Sequence, residues 1–375
     1  MRFAMANMMD YLDWRGDIPF SKDPFNEVDN LVLSEIAYTD FEGIVPAPGH
    51  FKSIRLKDAS KRFFELHSEE ELLRPEAPTT SKAPFLMKKA AESKRFSNIR
   101  ISAYVNEIET ESQVQFSAMC FHLPDHTRYI AFRGTDHTIV GWKEDFNMSF
   151  LTRTPGQERA ARYVTEIGSN PFHKLRIGGH SKGGNFAVYG AAFCKETVKK
   201  RIIEVYSNDG PGFRDEITNT KEYQQIIPKV YSIVPEHSIV SMILNNACSP
   251  KIIKSNATGL MQHDALSWQI YGNRFIEVDD FGEDSKVFDA TLRNWLLGIS
   301  DEERSEFVDI LFTGLTYDGT STTDELKMSK KKTLENIAKA VSELTLEKQA
   351  LFGSVLVKLG KAWGEALYRQ WKNKQ

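Results

Sequence analysis

Apolar residues recur with two different periods along this chain of 375 residues, and the changes of period divide it into three stretches. Up to about residue 95 the pattern is mainly helical and loop-rich. Leu31, Ile36 and Tyr38 fall on one face of a short amphipathic helix, a charged helical stretch follows over 58–73, and three prolines between residues 72 and 84 predict a connection. Alternation then sets in. Residues 99–105 and 114–122 predict an antiparallel pair with Glu111 and Ser112 between them, and 129–132 predicts a short strand ending at Arg133-Gly134-Thr135. Next, helices near 156–168, 183–196 and 215–225 alternate with apolar strands at 174–178, 202–207 and 229–234. Such alternation predicts a largely parallel sheet covered by helices on both faces. Segments 251–254 and 268–279 can add late strands. Beyond about residue 283 the period is helical again, over 287–298, 301–315 and 333–371.

Composition narrows this picture without redirecting it. With 41% hydrophobic and 26% charged residues, the chain has ample material for a core. A net charge of −3 gives no reason to expect a nucleic-acid partner. Cys120, Cys194 and Cys248 lie far apart without a C-x-x-C spacing, which predicts neither disulfides nor zinc and suits a cytoplasmic setting. Asp10, Asp13 and Arg15 interrupt the start of the chain before a leader could form, and no apolar run approaches the roughly 20 residues of a spanning helix. No metal-ligand spacing or phosphate-loop order is present, so no cofactor is expected.

The chemistry concentrates at Gly179-His180-Ser181-Lys182-Gly183, preceded by a short apolar strand and followed by a helix rich in Ala and Gly. Strand, G-x-S-x-G and small-residue helix together predict a nucleophile elbow, a turn that holds Ser181 in a strained conformation. A serine hydroxyl needs a base, and the base needs an orienting acid. His263 is the candidate base, because it lies in a loop after the later parallel strands. For the acid, Asp209 ends the strand after the elbow helix and Glu236 ends the next one. Asp209 is preferred and Glu236 is the alternative. Oxyanion donors are expected from the backbone N–H of Lys182 and from Thr135, through its N–H and hydroxyl, with Trp142 and Asp145 bracing the loop. The Lys182 side chain is expected to run into solvent, His180 to pack behind the serine, and Arg133 to form a structural ion pair.

Taken together, Arg133-Gly134-Thr135 after an apolar strand, G-H-S-x-G-G at 179–184 and a later histidine resemble the fungal-type (class 3) triacylglycerol lipases. A closer resemblance is to a bacterial family of lipase-like proteins. It is carried by 11–17 (YLDWRGD), 25–29 (FNEVD), 179–185 (GHSKGGN), 209–213 (DGPGF) and Gln262-His263-Asp264 with Ser267-Trp268. This resemblance, over about residues 9–270, implies an α/β-hydrolase fold, and the changes of pattern place that domain at 1–283, with 1–95 as a mainly helical entry segment and 284–375 as a helical extension. It also implies hydrolysis of acyl esters, small or lipid, through Ser181 and His263, with Thr135 in the oxyanion loop. Class 3 lipases place an aspartate where this chain has Pro235-Glu236-His237, and leucine where it has Lys182. The competing expectation is a non-catalytic hydrolase fold serving as a binding or scaffold module. In 350–371, Phe352, Val355, Trp363 and Leu367 recur at helical spacing, a stripe that either docks on the body or meets a membrane surface.

Overall fold

The computed structural model describes residues 6–50, 52–74, 82–109, 114–136, 139–319 and 330–373. Eight strands form one sheet in sequential order: β1 (Ile54–Arg55), β2 (Arg100–Glu109), β3 (Val114–His122), β4 (Arg128–Phe132), β5 (Leu175–His180), β6 (Ile202–Asn208), β7 (Val230–Pro235) and β8 (Lys251–Ile253). Pairs β1–β2, β2–β3 and β3–β4 are antiparallel, whereas β4 through β8 pair in parallel. The β2–β3 pair matches the alternating pattern, while Glu111 and Ser112 lie outside the described residues. Segment 268–279 gives a separate two-stranded hairpin, Ile270–Tyr271 with Arg274–Phe275, because Gly272 takes the positive φ that its tight turn requires.

Two apolar layers sandwich the sheet. One contains the N-terminal helices Met8–Arg15, Glu27–Ile36 and Ala83–Glu92 together with Phe121, Tyr129 and Trp268. The other packs Pro155–Ile167 and Lys182–Phe193 over Phe116, Phe132 and Ile177. Each layer answers to one face of the same strands, since successive side chains point to opposite sides. The N-terminal motif has a structural task. Buried Asp29 accepts hydrogen bonds from Tyr11 at 2.8 Å and Arg95 Nε at 2.7 Å, and Arg95 also donates to the carbonyls of Ile18, Asp23 and Pro24. This buried charge is thus paired and fully hydrogen-bonded, the condition under which burial is tolerated.

From Glu283 onward the helices Glu283–Leu297, Asp301–Leu315, Lys330–Ser342 and Leu346–Asn373 gather a third apolar cluster around Phe307, Phe352 and Val355, joined by Ile139 of the helix Ile139–Asn147. The stretch 333–371, read as one helix, is broken after Ser342. Ser342-Glu343-Leu344-Thr345 interrupts the apolar period, and the Thr345 hydroxyl accepts from the Lys348 N–H to start a new helix. On the last helix Phe352, Val355 and Ala366 are buried, while Val357, Trp363 and Tyr368 face outward. Among the described residues, no helix is long and apolar enough to cross a membrane.

At the middle of the sheet, β5 runs straight into the helix Lys182–Phe193 through Ser181, which stands at φ 57° and ψ −132°. Any Cβ at Gly183 would fall 2.2 Å from the Phe132 carbonyl oxygen, and one at Gly179 would fall 2.4 Å from the Gly183 carbonyl carbon. Only glycine allows helix and strand to approach so closely at such a turn. A mixed sheet whose parallel half is covered on both faces, with this elbow at its centre, is an α/β-hydrolase fold.

Candidate active site

Three segments converge on the elbow. Strand β6 hydrogen-bonds it directly, with the Asn208 carbonyl accepting from the Ser181 N–H at 2.9 Å. One residue further on, Asp209 takes a positive φ of 49° while its N–H bonds the Ile233 carbonyl of β7 at 2.8 Å. That kink turns the carboxylate back over the sheet edge. His263 ends the short 3-10 turn Gly259–His263. The loop is fixed by buried Trp268, whose indole N–H donates to the Gln262 carbonyl at 2.8 Å, and by Gln262, which accepts from the His237 N–H at 3.0 Å.

The side chains meet in a chain. Ser181 Oγ lies 2.9 Å from His263 Nε2, and His263 Nδ1 lies 2.6 Å from Asp209 Oδ2. Asp209 is fully buried, whereas His263 remains about one-third exposed toward the cleft. The other Asp209 oxygen accepts from Ser238 Oγ, which itself accepts from the Ser241 N–H at 3.2 Å. Glu236 does not occupy this position. Its N–H bonds Ile253 and its carbonyl accepts from Gly282, at the far side of β7. Ser238 escaped the sequence reading, although it lies only two residues beyond Glu236.

The loop after β4 passes over the elbow. A Cβ at Gly134 would come within 2.5 Å of the His180 carbonyl oxygen and 3.0 Å of Ser181 Cβ. Thr135 follows, but its hydroxyl donates to Asp145 Oδ2 at 2.6 Å, so only its N–H is left for an oxyanion. Lys182 opens the elbow helix, where backbone N–H groups have no intrahelical acceptor and the helix dipole favours negative charge. Arg133 pairs with Asp136 at 3.3 Å and donates to Asn106 at 3.1 Å.

Lys182 corrects the expectation that its side chain runs into solvent. Its ammonium is 1% exposed, 2.8 Å from Gln115 Oε1 and 3.0 Å from Glu144 Oε2. Glu144 also accepts from the N–H groups of Gln115 and Gly156, so the buried pair ties the elbow to β3 and to the helix Pro155–Ile167. Asp145, beside this pair, has its carboxyl pushed up to about 6 by burial, with Lys182 and Thr135 opposing the shift.

His180 does more than pack. Its Nε2 lies 2.9 Å from the His263 carbonyl oxygen and its Nδ1 3.0 Å from Glu35 Oε1, while its ring sits 4.7 Å from that of His263. Burial alone would lower its pKa, yet the neighbouring carboxylates of Glu35, Asp209 and Asp264 raise it overall. Nδ1 thus faces the Glu35 carboxylate as an ion pair, with the Tyr38 hydroxyl 3.3 Å from it, and Nε2 faces a carbonyl acceptor, a setting that suits the protonated ring. The one sequence signal for Glu35 is its place four residues after Leu31, on the helix face that turns inward.

These groups open onto a cleft of about 440 Å³, bordered by Tyr38, Lys82, Leu86, Met261 and Leu266 as well as Ser181 and His263. Among the described residues, no group of three or more His, Cys, Asp or Glu side chains could hold a metal ion. A hydroxyl, an imidazole and a buried carboxylate in series can move a proton from the first to the second while the third stabilises the resulting charge.

A family model described as Mbeg1-like matches residues 90–313, and the chain belongs to the Mbeg1-like family. A comparison with curated proteins gives no match. Among solved structures, the chain is similar to the Rhizomucor miehei lipase propeptide complex in its native form, at 20% identity and a TM-score of 0.33. That match covers 42% of this chain and 58% of the other, so the chain spans less than two thirds of that lipase. It is also similar to M37 lipase, at 16% identity and a TM-score of 0.35, over 57% of this chain and 69% of that one.

Proposed function

We propose that this member of the Mbeg1-like family is a serine hydrolase that cleaves carboxylic esters through an acyl-enzyme. The observation that carries the reading is the unbroken series Ser181–His263–Asp209, at 2.9 and 2.6 Å, on a strained elbow. In the proposed reaction His263 Nε2 removes the Ser181 proton as Oγ attacks the ester carbonyl. Asp209 holds the Nδ1 proton and offsets the imidazolium charge. The N–H groups of Lys182 and Thr135 receive the oxyanion, and His263 returns the proton to the departing alkoxide. Water then repeats the sequence on the acyl-enzyme.

Both small and lipid esters fall within the proposed class, in line with the resemblance to the bacterial lipase-like family and to class 3 lipases. Contact with a membrane surface through the last helix belongs to the same proposal, because Val357, Trp363 and Tyr368 are exposed on it. Turnover of p-nitrophenyl acetate by the wild type and its loss in Ser181→Ala, on the order of 10⁴-fold or more, is the expected result. Equal rates from both proteins would remove the reading.

A further inference from the structure

We propose that an apolar hollow behind Asp145 receives the acyl chain of the ester substrate, a proposal that rests on the ester-hydrolase reading above. The catalytic cleft and this hollow share a wall. Thr135 borders the cleft, its hydroxyl bonds Asp145 Oδ2 at 2.6 Å, and Asp145 borders the hollow. The hollow measures about 110 Å³ and is walled mainly by Phe146, Leu292, Trp295, Phe307 and Val308, with Arg304 also on its lining. These residues come from the helices Ile139–Asn147, Glu283–Leu297 and Asp301–Leu315, so the C-terminal helices supply most of the chamber.

An ester whose carbonyl oxygen lies at the Lys182 and Thr135 N–H groups has its acyl carbon beside this wall. The wall rests on the Thr135–Asp145 bond: Asp145 Oδ1 has no hydrogen-bond partner, and Lys182 Nζ is 3.9 Å away. Apolar hollows of roughly this size stay dry and accept hydrocarbon ligands. Each methylene taken from water into such a space is worth about a fourfold gain in binding. The occupant is therefore an uncharged, short to medium alkyl chain.

The test compares p-nitrophenyl acetate with p-nitrophenyl hexanoate. Leu292→Trp should lower kcat/KM for hexanoate at least tenfold and leave acetate within about threefold, as expected for lost methylene burial. Leu292→Ala, which carries no risk of overfilling, should move the preferred chain length upward. Equal losses on both esters, or no change in chain-length preference in either variant, would overturn the pocket. A second arm needs no turnover: 1-hexanol titrated into the Ser181→Ala protein should shift the Trp295 indole resonance, and Leu292→Trp should abolish that shift. No shift in Ser181→Ala overturns the pocket even if esters are hydrolysed. A shift without any Ser181-dependent hydrolysis supports the pocket and overturns the hydrolase reading instead.

Discussion

Replacing Asp209 with asparagine tests the geometry of the site more finely than removing the serine. Ser238 Oγ already accepts from the Ser241 N–H at 3.2 Å and gives its proton to Asp209 Oδ1. With the Ser238 hydroxyl donating to the amide oxygen of Asp209→Asn, as it now does to Oδ1, and Ser241 Oγ 2.6 Å away on its other side, the amide N–H₂ faces His263. The 2.6 Å contact at His263 Nδ1 then becomes a donor facing the ring. The imidazole must shift its proton to Nε2, the atom 2.9 Å from Ser181 Oγ, where it can no longer take a proton. A base locked in the wrong tautomer lowers kcat on the order of 10⁴-fold, about 5.5 kcal/mol of transition-state stabilisation. The assay is kcat on p-nitrophenyl acetate with thermal melting as a control for folding. Glu236→Gln, whose backbone faces Ile253 and Gly282, should stay within about threefold of wild type. Asp209→Asn retaining more than a tenth of the rate, or Glu236→Gln losing as much as it does, would refute the assignment.

Two further predictions concern stability. Lys182→Met leaves Glu144 buried without its cation, and breaking such a pair costs about 3–5 kcal/mol, so Tm should fall by roughly 10 °C; an unchanged melting curve would show that the pair is dispensable. His180 has a folded pKa above its ordinary 6.5, so its ion pair with Glu35 and its bond to the His263 carbonyl stabilise the fold fully below that value and progressively less as pH rises through the raised one. The gap in urea midpoint between wild type and His180→Gln should therefore narrow from pH 6 to pH 9, and a constant gap would speak against a charged His180.

Much of the architecture was legible because it rests on local patterns. The alternation from 99 onward, the small residues after Ser181 and the glycines around it report directly on strand, helix and close approach. What was not legible depends on contacts between distant segments. Asp209 and Glu236 end neighbouring strands, and spacing could not separate them. In space it is Asp209 whose Oδ2 lies 2.6 Å from His263 Nδ1. Lys182 looked solvent-bound because nothing near it in sequence balances its charge, whereas Gln115 and Glu144 reach it from other elements. The motifs at 11–17 and 25–29 carried no visible chemistry, and the structure gives them the buried Tyr11–Asp29–Arg95 knot. The break after Ser342 was missed because the apolar period resumes in nearly the same phase beyond Thr345.

Intact-mass analysis after treatment with a fluorophosphonate probe addresses the nucleophile itself, without assuming a substrate. The account predicts one adduct per chain on wild type, located at Ser181 by peptide mapping, and none on Ser181→Ala. An unlabelled wild-type protein, or an adduct that persists in Ser181→Ala, would contradict it.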